Sequence, residues 1–199
     1  MTRQDFQHFL DQHTDTLRLI RESAHALHAS VNQTYDKVHP YSVHLDMVAD
    51  AVLKYGHLVC ANETDILPIV FGAYYHDSIE DARLTYNDVT RAARHFMTDE
   101  QAFTAAEIVY ALTNDKGRTR AERAGERYYQ GIRETPYAPF VKLADRLANT
   151  TYSRTHDNAS NQHMAAVYRQ ELPHFLKAID AQRTDLRFSL PAEMIAQLT

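Results

Sequence analysis

The sequence predicts an all-α fold in a single domain, and three observations carry that expectation. Glycine and proline are scarce, at 5 and 6 of 199 residues, so few positions would break a helix. No run of alternating β-branched residues marks a strand, and apolar residues recur at helical spacing along most of the chain. The length suits one domain with a full core, so residues 1–199 are read as one unit. A hydrophobic share of 44% against 24% charged residues excludes a disordered chain.

The elements follow in order. Leu17, Ile20, Ala24 and Leu27 form an apolar stripe at i, i+3, i+7 and i+10 and predict a first amphipathic helix. Pro40 suits the first turn of a second, which runs to about Tyr55 with Val48, Ala51, Val52 and Tyr55 on its apolar face. Residues 66–75, ILPIVFGAYY, are apolar all round and predict a central buried helix that tolerates Pro68 in its first turn. Thr85 with Asp88 and Thr98 with Gln101 have the form of capping boxes, opening helices at about 86–96 and 99–113. Pro139 opens another at about 140–153, and the last long helix covers roughly 160–181. The tail 184–199 has no clear pattern.

Composition narrows the function. One cysteine, Cys60, excludes an internal disulfide and a thiolate-rich zinc site, and fits a reducing cytoplasm. No apolar stretch approaches the roughly 18 residues of a membrane span, and the segment MTRQDFQHFLDQH lacks the apolar core of a signal peptide. The net charge of −5 argues against nucleic acid as a partner, so phosphate recognition requires a local basic patch.

The segment AYYHDSIEDARLT, residues 73–85, raises the chemical question. His76 and Asp77 end the central apolar helix, where a charge must be paired or metal-bound. An isolated His–Asp pair also serves as a structural hydrogen-bonded pair. This pair is not isolated. His44 lies on the apolar stripe of its helix with Val48, Ala51, Val52 and Tyr55, and Asp145 shares a stripe with Val141, Ala144 and Ala148. Three helices therefore send a ligand inward. Two imidazoles with two carboxylates favour Mn²⁺, Fe²⁺ or Zn²⁺ over copper(I) and leave positions open for water and substrate. Glu80 and Asp81 follow one turn later; on a continuing helix they share a side with His76 and Asp77, available to position or deprotonate a water. The alternative is an exposed helix end before a turn. A basic run, Lys116, Arg118, Arg120, Arg123 and Arg127, precedes Lys142, Arg146 and Asn149, which surround Asp145 in its helix. The run reads either as phosphate ligands or, since Glu122 and Glu126 alternate with the arginines, as a solvated face.

The set His44, His76–Asp77 and Asp145 resembles the H…HD…D pattern of the HD phosphohydrolase superfamily. The wider strings HDSIEDARLT, VKLADRLAN, YSVH with VADAVL, and LTNDKGRTRAER resemble those of the alarmone hydrolases, the hydrolase branch of the RelA/SpoT homologues, over about residues 25–180. The resemblance implies an HD-type helical bundle and a cytoplasmic, Mn²⁺-dependent pyrophosphohydrolase. Its substrate would be a small nucleotide, with the 3′-diphosphate of guanosine tetra- or pentaphosphate leaving as pyrophosphate. It implies that His44, His76, Asp77 and Asp145 hold the metal and that Glu80 and Asp81 handle the water. Lys116 would meet phosphate, Arg123 would hold the phosphate-side loop, and Asn149 would contact the sugar. The chain departs from the pattern at Leu45, at Ala82, and at Tyr35 and Asp36, which stand where the family has Arg-Lys. Tyr35 offers a flat face for a base; Asp36 is either an acceptor for the N–H groups of guanine or a solvated loop residue. This expects pyrophosphate release with altered base selectivity, extending to adenosine analogues. The competing expectations are a nucleotide phosphomonoesterase sharing the metal set, and a non-catalytic nucleotide sensor.

Overall fold

The computed structural model describes residues 1–156 and 158–199, and the side chains of all of these except Arg120 and Ala121. Arg120 of the basic run therefore lies outside the described side chains. The chain is an all-α bundle: α1 (Arg3–Gln12), α2 (Thr14–Ser30), α3 (Ser42–Tyr55), α4 (Ile66–Tyr75), α5 (Tyr86–Ala93), α6 (Asp99–Leu112), α7 (Arg120–Arg123), α8 (Glu126–Glu134), α9 (Ala138–Thr155), α10 (Ala159–Ile179) and α11 (Ala192–Ile195). A two-stranded antiparallel hairpin, β1 (Thr34–Tyr35) and β2 (His39–Pro40), joins α2 to α3 with Tyr35 opposite His39. No helix among the described residues is long and apolar enough to cross a membrane.

The bundle is organised around α4. Its ten residues are all buried, as their unbroken apolar run requires, and it packs against α2, α3, α6 and α9. Each aliphatic or aromatic side chain there contributes about 1.5–3 kcal/mol by leaving water. At Gly72 the α4 backbone approaches α6 so closely that a Cβ would meet Cγ2 of Ile108 at 2.7 Å. The capping boxes at Thr85–Asp88 and Thr98–Gln101 are both formed, satisfying the first N–H groups of α5 and α6.

Several boundaries differ from the sequence expectations. Pro40 stands outside α3, in β2, and the helix begins at Ser42. The hairpin turn places Asp36 and Lys37 at φ 53° and 61°, a left-handed pair that matches strand twist but lacks the usual Asn-Gly signature. Helix α1 buries Phe6, Phe9 and Leu10, and α8 buries Tyr128, Tyr129 and Ile132. Both helices are polar apart from those three residues, so their low apolar content conceals them although the three fall on one face. Helix α4 does not continue to Glu80: it ends at Tyr75, and residues 76–81 form turns in which the Asp81 N–H still bonds the Asp77 carbonyl at 2.9 Å.

Gly72→Ala should destabilise the chain by about 1–3 kcal/mol, because Ile108 is fully buried and overpacking outweighs the helix-propensity gain of about 1 kcal/mol. Urea unfolding checks this; an unchanged or raised midpoint would show that the α4–α6 contact yields freely.

Candidate metal centre

Helices α3 and α9 and the turn after α4 bring His44, Asp145 and His76 together, with Asp77 at the edge of the cluster. His44 projects from the first turns of α3, Asp145 from the middle of α9, and His76 and Asp77 directly follow α4. The Nε2 atoms of His44 and His76 are 3.2 Å apart. Asp77 Oδ2 is 2.9 Å from His76 Nε2 and 3.8 Å from His44 Nε2. Asp145 Oδ1 is 3.4 Å from His44 Nε2 and 3.9 Å from His76 Nε2. His44, His76 and Asp145 each place one donor atom within 4.8 Å of the others. With metal–ligand bonds of about 2.1 Å, adjacent donors in an octahedral shell stand roughly 3 Å apart and opposite donors roughly 4 Å apart. The donor set and its separations fit a divalent cation bound through imidazole and carboxylate.

Surrounding bonds set each donor's orientation. His76 Nδ1 meets the Ala73 carbonyl at 2.9 Å at the end of α4, which directs Nε2 into the site. Burial alone would lower the His76 pKa, but the Asp77 carboxylate outweighs it and raises it to about 9. Despite burial, Asp77 is held well below the ordinary carboxylate range by His76, and its Oδ2 also accepts from the Tyr41 hydroxyl. Asp145 is held down chiefly by Lys142, whose Nζ lies 2.9 Å from Oδ2, and Lys142 is correspondingly held well above the ordinary lysine value. Asn149 donates to Asp145 Oδ1 at 2.6 Å. His44 Nδ1 is buried and finds no hydrogen-bond partner among the described residues.

Glu80 and Asp81 flank the donors. Glu80 is exposed by surface area, yet crowding by protein atoms and then the Asp77 charge raise its carboxyl above the ordinary value, while Asn114 donates to it at 3.2 Å. Asp81 is raised by the same two causes in the same order. Both carboxyls therefore keep a proton to higher pH than an ordinary carboxylate does.

A cavity of about 490 Å³ opens beside Asp145. Arg123, Lys142, Arg146 and Asn149 line it; Lys116 does not, and is exposed on the 114–124 segment. That segment closes through the Asp115 N–H to the Arg123 carbonyl at 3.1 Å, and Gly117 allows it, since a Cβ there would meet the Arg123 nitrogen at 2.9 Å. The Arg146 guanidinium is 2.9 Å from Glu171 and lies over the rings of Tyr168 and Phe175 at 4.7 and 4.3 Å. Tyr35 stacks on His44 with ring centres 5.0 Å apart and donates to Asn149 at 2.9 Å. Asp36 accepts from Tyr152, Asn158 and Asn161 at 3.2–3.3 Å, which fastens the hairpin to the α9–α10 corner. Sequence reasoning missed the roles of Tyr41 and Asn114, although both lie inside the strings YSVH and LTNDKG. It also missed Glu171, which carries no signal on the polar side of α10. No model of a known protein family matches the chain, and no curated protein does.

A cation entering this site must displace the proton on His76, whereas Asp77 and Asp145 are already ionised. Mn²⁺ affinity should therefore rise about tenfold per pH unit between pH 7 and 8.5. Titration calorimetry in buffers of different ionisation enthalpy checks this, with close to one proton released per ion at pH 7; affinity independent of pH over this range would contradict it.

Proposed function

We propose that the chain is a metal-dependent pyrophosphohydrolase of the HD type, acting on guanosine tetra- or pentaphosphate and related nucleotides and releasing their 3′-diphosphate as pyrophosphate. The observation that carries the reading is the convergence of His44, His76 and Asp145, with Asp77 against both imidazoles, beside a cavity lined by Lys142 and Arg123. The resemblance of the surrounding strings to the alarmone hydrolases of the RelA/SpoT homologues supports it. The four donors would hold Mn²⁺, with Fe²⁺ and Zn²⁺ as lesser candidates, and that ion would neutralise phosphoryl charge and acidify a water.

The chain's own groups divide the remaining work. Glu80, oriented by Asn114, and Asp81 position the attacking water and accept its proton. The water oxygen bonds to the phosphorus attached to the sugar; the P–O3′ bond breaks, and the 3′ oxygen leaves as a hydroxyl by taking up the proton that Glu80 or Asp81 accepted from the water. Lys142 and Arg123, which line the cavity, offset the diphosphate charge; exposed Lys116, on the 114–124 segment that carries Arg123, would meet phosphate from outside the lining, and Arg146, paired with Glu171, would contribute through the wall it braces. Asn149 sits beside Asp145, where the sugar would lie. The single buried thiol of Cys60 suits the cytoplasm as the compartment.

Incubation of the Mn²⁺-loaded chain with guanosine 3′,5′-bis(diphosphate) should yield pyrophosphate; orthophosphate would indicate a phosphomonoesterase instead. Asp145→Ala should lose both metal and turnover, and full activity in a chelated sample would contradict the metal role. Glu80→Gln should retain metal while kcat falls by about 10²–10⁴. Loss of metal in that variant would make Glu80 a ligand, and normal kcat would make it a bystander.

A further inference from the structure

The two imidazoles of the site are held in different ways. A histidine that binds a metal through one ring nitrogen ordinarily donates the other to a carbonyl or carboxylate, which fixes the ring plane. His76 follows that rule through the Ala73 carbonyl. His44 does not: its Nδ1 is buried without a hydrogen-bond partner among the described residues. Packing fixes its plane instead. Tyr35 lies face to face with the ring, with centres 5.0 Å and planes 19° apart, while Tyr41 and His76 meet it at 64° and 66°.

Tyr35 also reaches the opposite helix. Its hydroxyl donates to Asn149 Oδ1 at 2.9 Å, and the Asn149 amide donates to Asp145 Oδ1 at 2.6 Å. That oxygen is the one 3.4 Å from His44 Nε2, since Oδ2 is paired with Lys142. One side chain thus touches a donor from α3 directly and a donor from α9 through one amide. The hairpin that carries it is held from outside the site. Asp36 and Lys37 adopt left-handed backbone, which costs energy in residues other than glycine, and the three donors that Asp36 receives from Tyr152, Asn158 and Asn161 offset that cost.

Resting on the reading of His44, His76, Asp77 and Asp145 as a cation site, and on no particular substrate, we propose that Tyr35 is a positioning residue of that site. Its ring sets the plane of His44 in place of the missing hydrogen bond, and its hydroxyl keeps Asn149 on Oδ1 of Asp145. Cation binding and hairpin docking are then coupled, and the coupling is reciprocal: the factor by which the docked hairpin raises cation affinity is the factor by which the cation favours docking.

Mn²⁺ calorimetry on the unmodified chain, Tyr35→Phe and Tyr35→Leu tests this. Phenylalanine keeps the ring and loses the hydroxyl; leucine loses both. Groups that orient a metal ligand are worth about 10–100-fold in affinity, so Kd should rise by about that factor in Tyr35→Leu and by less than about tenfold in Tyr35→Phe. Thermal unfolding of each metal-free variant reports folding separately: a side chain that only stabilised the fold would lower the melting temperature and leave Kd of the folded chain unchanged. A second readout needs no change at Tyr35. Amide hydrogen exchange over residues 33–39, which include the Val38 N–H bonded to the Tyr35 carbonyl at 3.2 Å, should slow when Mn²⁺ is added to the unmodified chain and not when it is added to Asp145→Ala. That result decides if Tyr35→Leu fails to fold. An unchanged Kd in folded Tyr35→Leu would overturn the proposal, as would hairpin exchange that bound Mn²⁺ leaves unaltered. A loss in Tyr35→Phe equal to that in Tyr35→Leu would overturn the part given to the ring. Mn²⁺ bound no more tightly by the unmodified chain than by Asp145→Ala would remove the cation-site reading itself; binding that Asp145→Ala abolishes and Tyr35→Leu leaves intact would remove only the role of Tyr35.

Discussion

Four titratable groups from three helices share a volume from which water is largely excluded, and the fold must balance their charge. Two carboxylates held ionised at this point would repel each other, and burial would push both toward protonation. The protein answers with positive charge on each side: a proton on His76 facing Asp77, and the Lys142 ammonium facing Asp145. The first of these neutralisers is exchangeable. A divalent cation would supply more charge than the proton it replaced and would bond to both imidazoles at once, so a site balanced this way would favour metal entry as pH rises.

The rest of the bundle keeps the four donors in place. Helix α4 is apolar on every side and has no freedom to rotate without exposing surface, so His76 and Asp77 leave its end at a fixed point. The Ala73 carbonyl fixes the His76 ring, Tyr41 holds Asp77, and Asn149 with Lys142 holds Asp145. The hairpin adds the last support, laying Tyr35 on the His44 ring while Asp36 ties the loop to three donors from α9 to α10. Residues that read as free to meet a base are thus engaged with the protein itself.

How much of this was legible in the sequence depends on which force set each feature. Burial of long apolar stripes made α2, α3, α4 and α9 readable, and with them the inward aim of His44 and Asp145. Local hydrogen bonding made the caps at Thr85 and Thr98 readable. Helices α1 and α8 were less so, because only three apolar residues in each mark the buried face of an otherwise polar segment. The hairpin was illegible: two-residue strands carry no pattern, and Asp36–Lys37 adopt a turn that tertiary bonds to Asp36 stabilise. Glu171 was illegible for the same reason, since its value lies in Arg146 across the α9–α10 contact, 25 residues away.

The central claim is that the four side chains form one cation site. Anomalous diffraction from a crystal of the chain soaked in Mn²⁺ tests it most directly. The account predicts a single dominant peak bonded to His44 Nε2, His76 Nε2 and carboxylate oxygens of Asp77 and Asp145. A dominant peak elsewhere, or none at this point with the donors ordered, would contradict it.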